Sequence, residues 1–238
     1  MSIEKEIQIP KELTISLWNK IRNIEHLSDI EKIITTVSAV SGEDVEEVKR
    51  WDFLSLTQVY KLINDNIEET QSIFLPIIDF DGKQYGFQPI SKMSGGEYID
   101  LEAKMKKGVD GLEEIISHLY RPITKSRFNT LEWKIKNNVK YIMGKSEDLF
   151  KYYEVEEYDS EKCEWRKEVL RELPLSIALG AYNFFLVLGW QLSKNMLTYS
   201  PHLSEEQKKQ MMEELDQVSQ NIMVGSTSYT NWRKMVGF

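Results

Sequence analysis

The feature that most constrains this chain is a stretch without any charged side chain, Leu173–Ser193, which reads LPLSIALGAYNFFLVLGWQLS. An apolar helix of about 20 residues can span a lipid bilayer, so a membrane span and a buried helix compete for this segment. The residues RE before it and KN after it give no strong orientation signal. Polar and helix-breaking residues also interrupt it, namely Pro174, Ser176, Asn183 and Gln191.

We therefore expect a long helix over residues 174–197, buried in the core or in a contact between subunits, and no association with a membrane. A helix that is apolar on all sides needs apolar surroundings on all sides. The side chains expected to fill the core or to contact a partner are Phe184, Phe185 and Trp190.

The composition of the whole chain is that of a folded protein. Its 238 residues are 41% hydrophobic and 29% charged, which is a globular balance. A formal net charge of -8 disfavours a general attraction to nucleic acid phosphates and favours protein partners. The single cysteine, Cys163, cannot form an intramolecular disulfide, and residues 1–13 contain no apolar stretch of the kind that a secretory signal needs. We expect a cytosolic origin.

The first 70 residues predict a small bundle of three or four helices. Ser28 followed by Glu31 suits the start of a helix, and Gly42 suits its end. The next segment, capped by Ser41 or Asp44, predicts two short helices with a bend near Trp51–Asp52. The first helix of the unit has four apolar residues at helical spacing, Leu13, Leu17, Ile21 and Ile24.

A β-hairpin is predicted next. Asp81-Gly82 tolerates the positive φ angles of a tight turn, so Ile77–Phe80 and Gln84–Phe87 should pair antiparallel around it. Pro76 and Pro89 cannot donate to a strand ladder, and they mark the outer ends of the hairpin.

Two further helices follow the hairpin. Ser94–Gly96 predicts the N-terminal turn of the first one, with Glu97 and Asp100 where the helix dipole favours acidic residues. The second, DGLEEIISHLYRPI, is expected to begin at Asp110 and to stop at Pro122. Its expected apolar face consists of Leu112, Ile115, Ile116 and Leu119.

This order of elements predicts a mostly helical α+β protein with an N-terminal helical unit, a central β-hairpin or small antiparallel sheet, and C-terminal helices. The expected domains are residues 1–70, 71–165 and 166–238, the last two forming one cooperative domain. Residues 130–143 are expected to be two extended segments or a loop. A final helix should start after Pro201 with Ser204 as its cap.

The segment around His118 has the residue types of an active site, but a structural interpretation fits it better. A general base needs a carboxylate or nucleophile within reach, and the neighbours Glu114 and Arg121 suit a surface network equally well. Tyr120, Arg121 and Pro122 suit the end of a helix, with Arg121 near the negative end of the dipole. The enzymatic alternative is a hydrolase or nuclease that uses His118 with a carboxylate.

No metal or cofactor site is predicted. Glu97, Asp100 and Glu102 form a carboxylate cluster, but Lys104 lies four residues after Asp100 and indicates an ordinary ion pair. One cysteine and three scattered histidines have no zinc-ligand spacing. The glycines of Ser94–Gly96 lack a following Lys-Ser/Thr pair, so turn formation explains them better than phosphate binding.

The C-terminal segment SYTNWRKMVGF, residues 228–238, has aromatic and methionine side chains of the kind that protein interfaces favour. It either docks on a neighbouring molecule or folds back onto its own domain. The residues concerned are Tyr229, Trp232, Met235 and Phe238.

Two stretches of the chain together resemble a known family. They are FDGKQYGFQPISKMSGGEYIDLEAKMKKGVDGLEEIISHLYRPITK, residues 80–125, and LPLSIALGAYNFFLVLGWQL, residues 173–192. The combination is similar to virion structure and assembly proteins of tailed bacteriophages from gut and marine environments, crAss-like phages and their relatives. The shared motifs are GEYIDLE, LYRPI and ALGA-x-x-FF, and the match spans most of residues 11–195.

The resemblance implies a non-enzymatic role in building the virion, either as a neck or tail component or as an assembly chaperone for tail proteins. The implied partners are other phage structural proteins and copies of the same chain, in a virion assembled in the host cytoplasm. It also implies a structural joint between the hairpin and the following strands. The residues of this joint are His118, Tyr120, Arg121 and Pro122.

Overall fold

The computed structural model describes residues 9–24, 26–127 and 149–224. Within these ranges the protein is a mostly helical α+β protein, as predicted. Its helices are α1 (Ile15–Arg22), α2 (Asp29–Ser41), α3 (Val45–Val48), α4 (Phe53–Glu69), α5 (Gly95–Met105), α6 (Leu112–Leu119), α7 (Ser160–Leu170), α8 (Leu175–Thr198) and α9 (Glu205–Val224). Its strands are β1 (Ile77–Phe80), β2 (Lys83–Phe87), β3 (Tyr120–Ser126) and β4 (Tyr153–Val155).

The chain forms two compact units. The first contains the residues up to Thr70 together with the short segment Arg171–Ser176. The second contains Gln71–Leu170 and the residues from Ile177 onward.

Helix ends in the first unit lie where the capping residues predict them. Ser28 and Glu31 form a reciprocal capping box at α2, and Gly42 ends this helix in the left-handed conformation with φ 74°. Of the two candidate caps for α3, Asp44 is the one used, since its carboxylate accepts from the Glu46 backbone N–H.

The first helix begins later than its apolar spacing indicates. Thr14, in extended backbone, is the N-cap of α1, and Leu13 lies before the helix, where it is buried. The Leu175 N–H donates to the Leu13 carbonyl at 2.7 Å, and the Ile15 N–H donates to the Leu173 carbonyl at 3.1 Å. This short pairing with a segment distant in sequence competes with helix formation at residues 11–14.

The predicted hairpin is confirmed, and it is part of a four-stranded antiparallel sheet of order β1-β2-β3-β4. Asp81 and Gly82 have φ angles of 48° and 69°, the left-handed pair of a two-residue turn, and Phe80 faces Lys83 across it. Gly86 in β2 lies under the Tyr153 ring of β4, where a Cβ would be 2.8 Å from Tyr153 Cδ2.

Two predicted helix limits near His118 are wrong. Helix α6 begins at Leu112 rather than Asp110, because residues Gly108–Gly111 form a 3₁₀ turn that approaches α5 closely. Helix α6 ends at Leu119, and Pro122 lies inside strand β3. The backbone polar groups of Pro122 point away from β2, since its carbonyl accepts from the Glu156 N–H at 2.9 Å on the β4 side. The missing N–H of Pro122 therefore removes no hydrogen bond between β2 and β3.

The core of the second unit is formed between the sheet and the first half of α8. The ring of Phe184 stacks on Phe74 with centroids 3.8 Å apart and meets Phe87 edge-on at 5.3 Å. Residues 73–74 cross α8 at Gly180, whose missing side chain allows the two backbones to approach. Helix α8 therefore begins in the core, close to the predicted limits of residues 174–197.

Candidate functional site

His118 is fully buried at the end of α6. Its Nε2 lies 3.2 Å from the Glu97 carbonyl oxygen, which can only accept, so Nε2 carries the proton. Its Nδ1 then accepts from Lys104 Nζ at 3.1 Å. Burial, followed by the Lys104 charge, lowers the pKa of His118 to about 4. His118 is therefore neutral at pH 7, and because it is buried the predicted surface network with Glu114 and Arg121 is wrong.

Arg121 and Glu97 form a buried ion pair between β3 and α5, with side chains 2% and 3% exposed. Arg121 Nη1 also donates to the Glu156 carbonyl at 3.4 Å. The prediction that Arg121 interacts with the end of a helix dipole is wrong, because Arg121 lies in a strand opposite Gly86. Glu97 also accepts from the Ser94 N–H in a capping box, so its carboxylate joins a helix cap to the centre of the fold.

Asp100 and Lys104 do not form the ion pair that their spacing predicts. The Asp100 carboxylate accepts from the Tyr158 hydroxyl at 2.6 Å, and Lys104 contacts His118. The Tyr158 ring lies 4.7 Å from the His118 ring. Tertiary neighbours therefore replace the local partner on both side chains, and little is lost because a surface ion pair contributes little stability.

Arg166 is a central residue of this polar cluster that the sequence did not reveal. It is fully buried on α7, and its Nε donates to the Ser117 carbonyl at 3.0 Å. Its Nη1 and Nη2 donate to Glu156 and to Cys163 Sγ, each at 3.0 Å. The signal that could have found it is the spacing of the buried residues Cys163, Arg166 and Leu170, three and then four residues apart.

The polar side chains of this cluster bind other groups of the same chain. Among the described residues no carboxylate lies within hydrogen-bond distance of the His118 ring, whose Nδ1 is 4.0 Å from Cys163 Sγ. Residues 9–24, 26–127 and 149–224 contain no group of three or more His, Cys, Asp or Glu side chains placed to hold a metal ion.

A cleft of about 450 Å³ opens beside the ion pair of Glu97 and Arg121, between the start of α5 and the segment that follows β4. Several of its charged side chains are already engaged. Glu154 pairs with Lys125 at 2.7 Å, and Glu156 pairs with Lys162 at 2.7 Å. Few charged side chains of the cleft lining are therefore left without an ion-pair partner to bind a ligand.

The predicted contact residues fall into three groups. Phe184 and Phe185 are buried in the protein's own core. The prediction that they contact a partner is therefore wrong, and the alternative prediction, that they fill the core, is confirmed. Trp190 is half-buried, with Lys194 over its ring at 4.4 Å. Residues 228–238, with Tyr229, Trp232, Met235 and Phe238, lie outside the described residues, as do residues 130–143.

The second half of α8 presents an apolar row to solvent. Leu192 and Met196 in α8, and Tyr199 in the turn directly after it, are spaced by four and three residues and are exposed by 41%, 67% and 82%. Phe185 lies on the same side of the helix but in the core, and Leu188 between them is half-buried. We call Leu192, Met196 and Tyr199 the α8 stripe. These residues lie on the same helix face as the buried Phe185, and their exposure increases towards the end of the helix.

A second apolar surface lies on α4. Phe53, Leu54 and Leu62 are exposed by 66%, 66% and 57%. Leu56 and Ile63 of the same helix are buried. Phe53 and Leu54 are adjacent in the first turn of α4, whereas Leu62 lies more than two turns further along. We call Phe53 and Leu54 the α4 patch. Large exposed apolar patches mark protein or membrane interaction sites, ligand-binding grooves or aggregation-prone surfaces.

In the described part of the chain, α8 is the one helix long and apolar enough to cross a membrane by length and composition. About 39% of its most apolar window is buried within the protein. A core helix of a soluble protein passes the same test, so this property is weak support for a span.

Comparisons of the chain with protein-family models, with curated proteins and with solved structures found no match.

Proposed function

We propose that this chain is a non-enzymatic virion structural or morphogenesis protein of a tailed bacteriophage. In this proposal it works through protein contacts as a component of a neck or tail ring or connector. The observation that carries the contact role is the α8 stripe, whose apolar side chains become more exposed along a helix that begins in the core. The phage assignment rests on the sequence motifs named above.

The polar residues support the same proposal. Arg166, His118 and, beside the cleft, Arg121 are buried and hydrogen-bonded to the protein's own groups, which supports a role in stabilising the fold. A chain of net charge -8 with exposed apolar side chains suits binding to proteins better than binding to nucleic acid.

The second candidate is an assembly chaperone for tail proteins that leaves before the particle is finished. Exposure of Phe53 and Leu54 on the first turn of α4 favours it, since two adjacent bare apolar side chains can cover an aggregation-prone segment of a client. The acidic surface would keep such a complex soluble.

Quantitative mass spectrometry of density-purified virions separates these candidates. A constant whole-number ratio of this chain to the portal protein is the result expected for a ring or connector component. Absence from particles, together with abundance in infected-cell lysate, would replace this proposal with the chaperone. Absence from both would reject the phage assignment itself.

A further inference from the structure

The segments that lead into α1 and α8 pair with each other within the first unit. The Ile15 N–H, at the start of α1, donates to the Leu173 carbonyl at 3.1 Å. The Leu175 N–H, at the start of α8, donates to the Leu13 carbonyl at 2.7 Å. The first N–H groups of a helix have no partner inside that helix, so each segment supplies an acceptor that the other lacks. We call residues 13–16 and 171–176 together the N-terminal pairing.

Further bonds and buried side chains reinforce the N-terminal pairing. The Ser16 N–H donates to the Arg171 carbonyl at 2.7 Å, and the Thr14 hydroxyl donates to the Glu172 carboxylate at 3.4 Å. The leucine and isoleucine side chains of the pairing are at most 2% exposed, and they are four of the nine buried apolar side chains in the described part of the first unit. The four are Leu13, Ile15, Leu173 and Leu175, and the other five are Val37, Val40, Val48, Leu56 and Ile63.

We infer that residues 171–176 are an obligatory part of the first unit, which opens as a whole when the N-terminal pairing breaks while the second unit stays folded. Without the pairing, the first unit would keep only the buried apolar side chains of α2, α3 and α4. A folding unit of about 60 residues is marginally stable even with a complete core. Helices as short as α1 and α3 cannot compensate, because isolated helices of fewer than about 12 residues are marginal in water.

The N-terminal pairing is therefore a conformational device. Breaking one short contact would release a helical unit of the chain and leave the sheet and the rest of α8 folded, and partial opening of this kind needs less free energy than global unfolding. Residues 171–176 are also synthesised after residues 71–170. The first unit consequently completes its fold late, although N-terminal domains ordinarily fold first during synthesis.

Hydrogen exchange of the full-length chain, measured by mass spectrometry of its peptides, tests this inference. Leu173→Ala alters the N-terminal pairing. Leu170→Ala on α7 is the matched control, because Leu173 and Leu170 are 1% and 0% exposed but belong to different units. Circular dichroism checks folding. Leu173→Val and Leu170→Val make the same comparison with a smaller loss of side chain, in case an alanine variant does not fold.

We expect Leu173→Ala to exchange faster throughout α2 and α4, on the order of 30-fold or more, because truncating a buried leucine makes the whole first unit open more often. Exchange in β1, β2 and α6 should remain that of the wild type. Leu170→Ala should do the reverse, with faster exchange in α6 and α7 and unchanged exchange in α2 and α4.

Three results would overturn the inference. Faster exchange of Leu173→Ala confined to residues 13–16 and 171–176 would show that the first unit folds without this segment. An equal increase in α2, α4, β2 and α6 would show that the chain opens as one unit. A Leu170→Ala variant with faster exchange in α2 and α4 would show that the first unit depends on the second unit rather than on the N-terminal pairing.

Discussion

Replacing Gly180 with alanine is expected to destabilise the protein by about 2 kcal/mol, whereas the same change at Gly189 on the same helix should stabilise it by about 1 kcal/mol. A Cβ on Gly180 would lie 2.6 Å from the Phe74 backbone nitrogen and still nearer to the Ile73 carbonyl group. A Cβ on Gly189 would meet nothing within 4 Å. Comparing the two variants therefore separates the effect of the tertiary contact on stability from the effect of helix propensity.

The magnitude follows from two opposing effects. Alanine is better than glycine inside a helix by about 1 kcal/mol at both positions. At Gly180 the backbone of residues 73–74 must move away, and overpacking of this kind costs about 3 kcal/mol. Backbone atoms cannot turn aside as the end of a long side chain can, so this cost is not easily relieved.

Urea unfolding followed by far-UV circular dichroism measures both variants against the wild type. Thermal unfolding gives a second measure, because in a chain of this length 1 kcal/mol corresponds to a shift of about 2–4 °C in Tm. The Tm of Gly180→Ala should lie below that of the wild type, and the Tm of Gly189→Ala should lie above it. Equal m values would show that the native and unfolded states are comparable. If Gly180→Ala is as stable as Gly189→Ala, the close crossing of residues 73–74 over α8 is wrong.

Three further predictions concern the buried polar cluster and the C-terminus. Arg121→Met alone should cost about 3–5 kcal/mol because it leaves the Glu97 carboxylate buried without its cation, and adding Glu97→Gln should recover most of that loss in a double-mutant cycle; additive losses would contradict the pairing. The folded-state pKa of His118, about 4, lies below its ordinary value of 6.5, so its contribution to stability is complete above pH 6.5 and is lost as the pH falls towards 4. Relative to His118→Gln, the wild type should lose up to about 3 kcal/mol between these pH values in urea unfolding, and parallel pH profiles would refute the buried neutral histidine. Deleting residues 226–238 should leave a folded monomer but abolish assembly, and normal particles containing the truncated chain would exclude a docking role for Tyr229, Trp232, Met235 and Phe238.

Local signals predicted much of the fold. Ser204 and Gln207 cap α9 reciprocally, as Ser94 and Glu97 cap α5, and the Asp81-Gly82 turn lies where its residue types place it. These features could be predicted because each joins residues at most three positions apart. The same locality explains the errors, since Thr14 caps α1 while the chain before it pairs with a segment near Pro174.

The candidate contact surfaces were only partly predictable. The uncharged segment indicated a long apolar helix, but not that Phe184 would be buried while Met196 on the same helix is exposed. The α4 patch was not predicted at all, although Phe53 and Leu54 are adjacent apolar residues at the start of a helix. Which apolar residue is left uncovered depends on the elements that pack around it, and periodicity alone does not contain that information.

The sequence by itself determined the caps of α2, α5 and α9, the hairpin turn and the long apolar helix, because these depend on backbone hydrogen bonds between close neighbours in the chain. The tertiary structure alone decided that Arg121 pairs with Glu97, that Arg166 donates to the Ser117 carbonyl and that His118 is buried. Removing a charge or an imidazole from water is costly, and it is tolerated where distant segments supply hydrogen-bond partners. The local sequence shows neither this desolvation cost nor the distant hydrogen-bond partner, so the roles of Arg121, Arg166 and His118 are visible only in the folded chain.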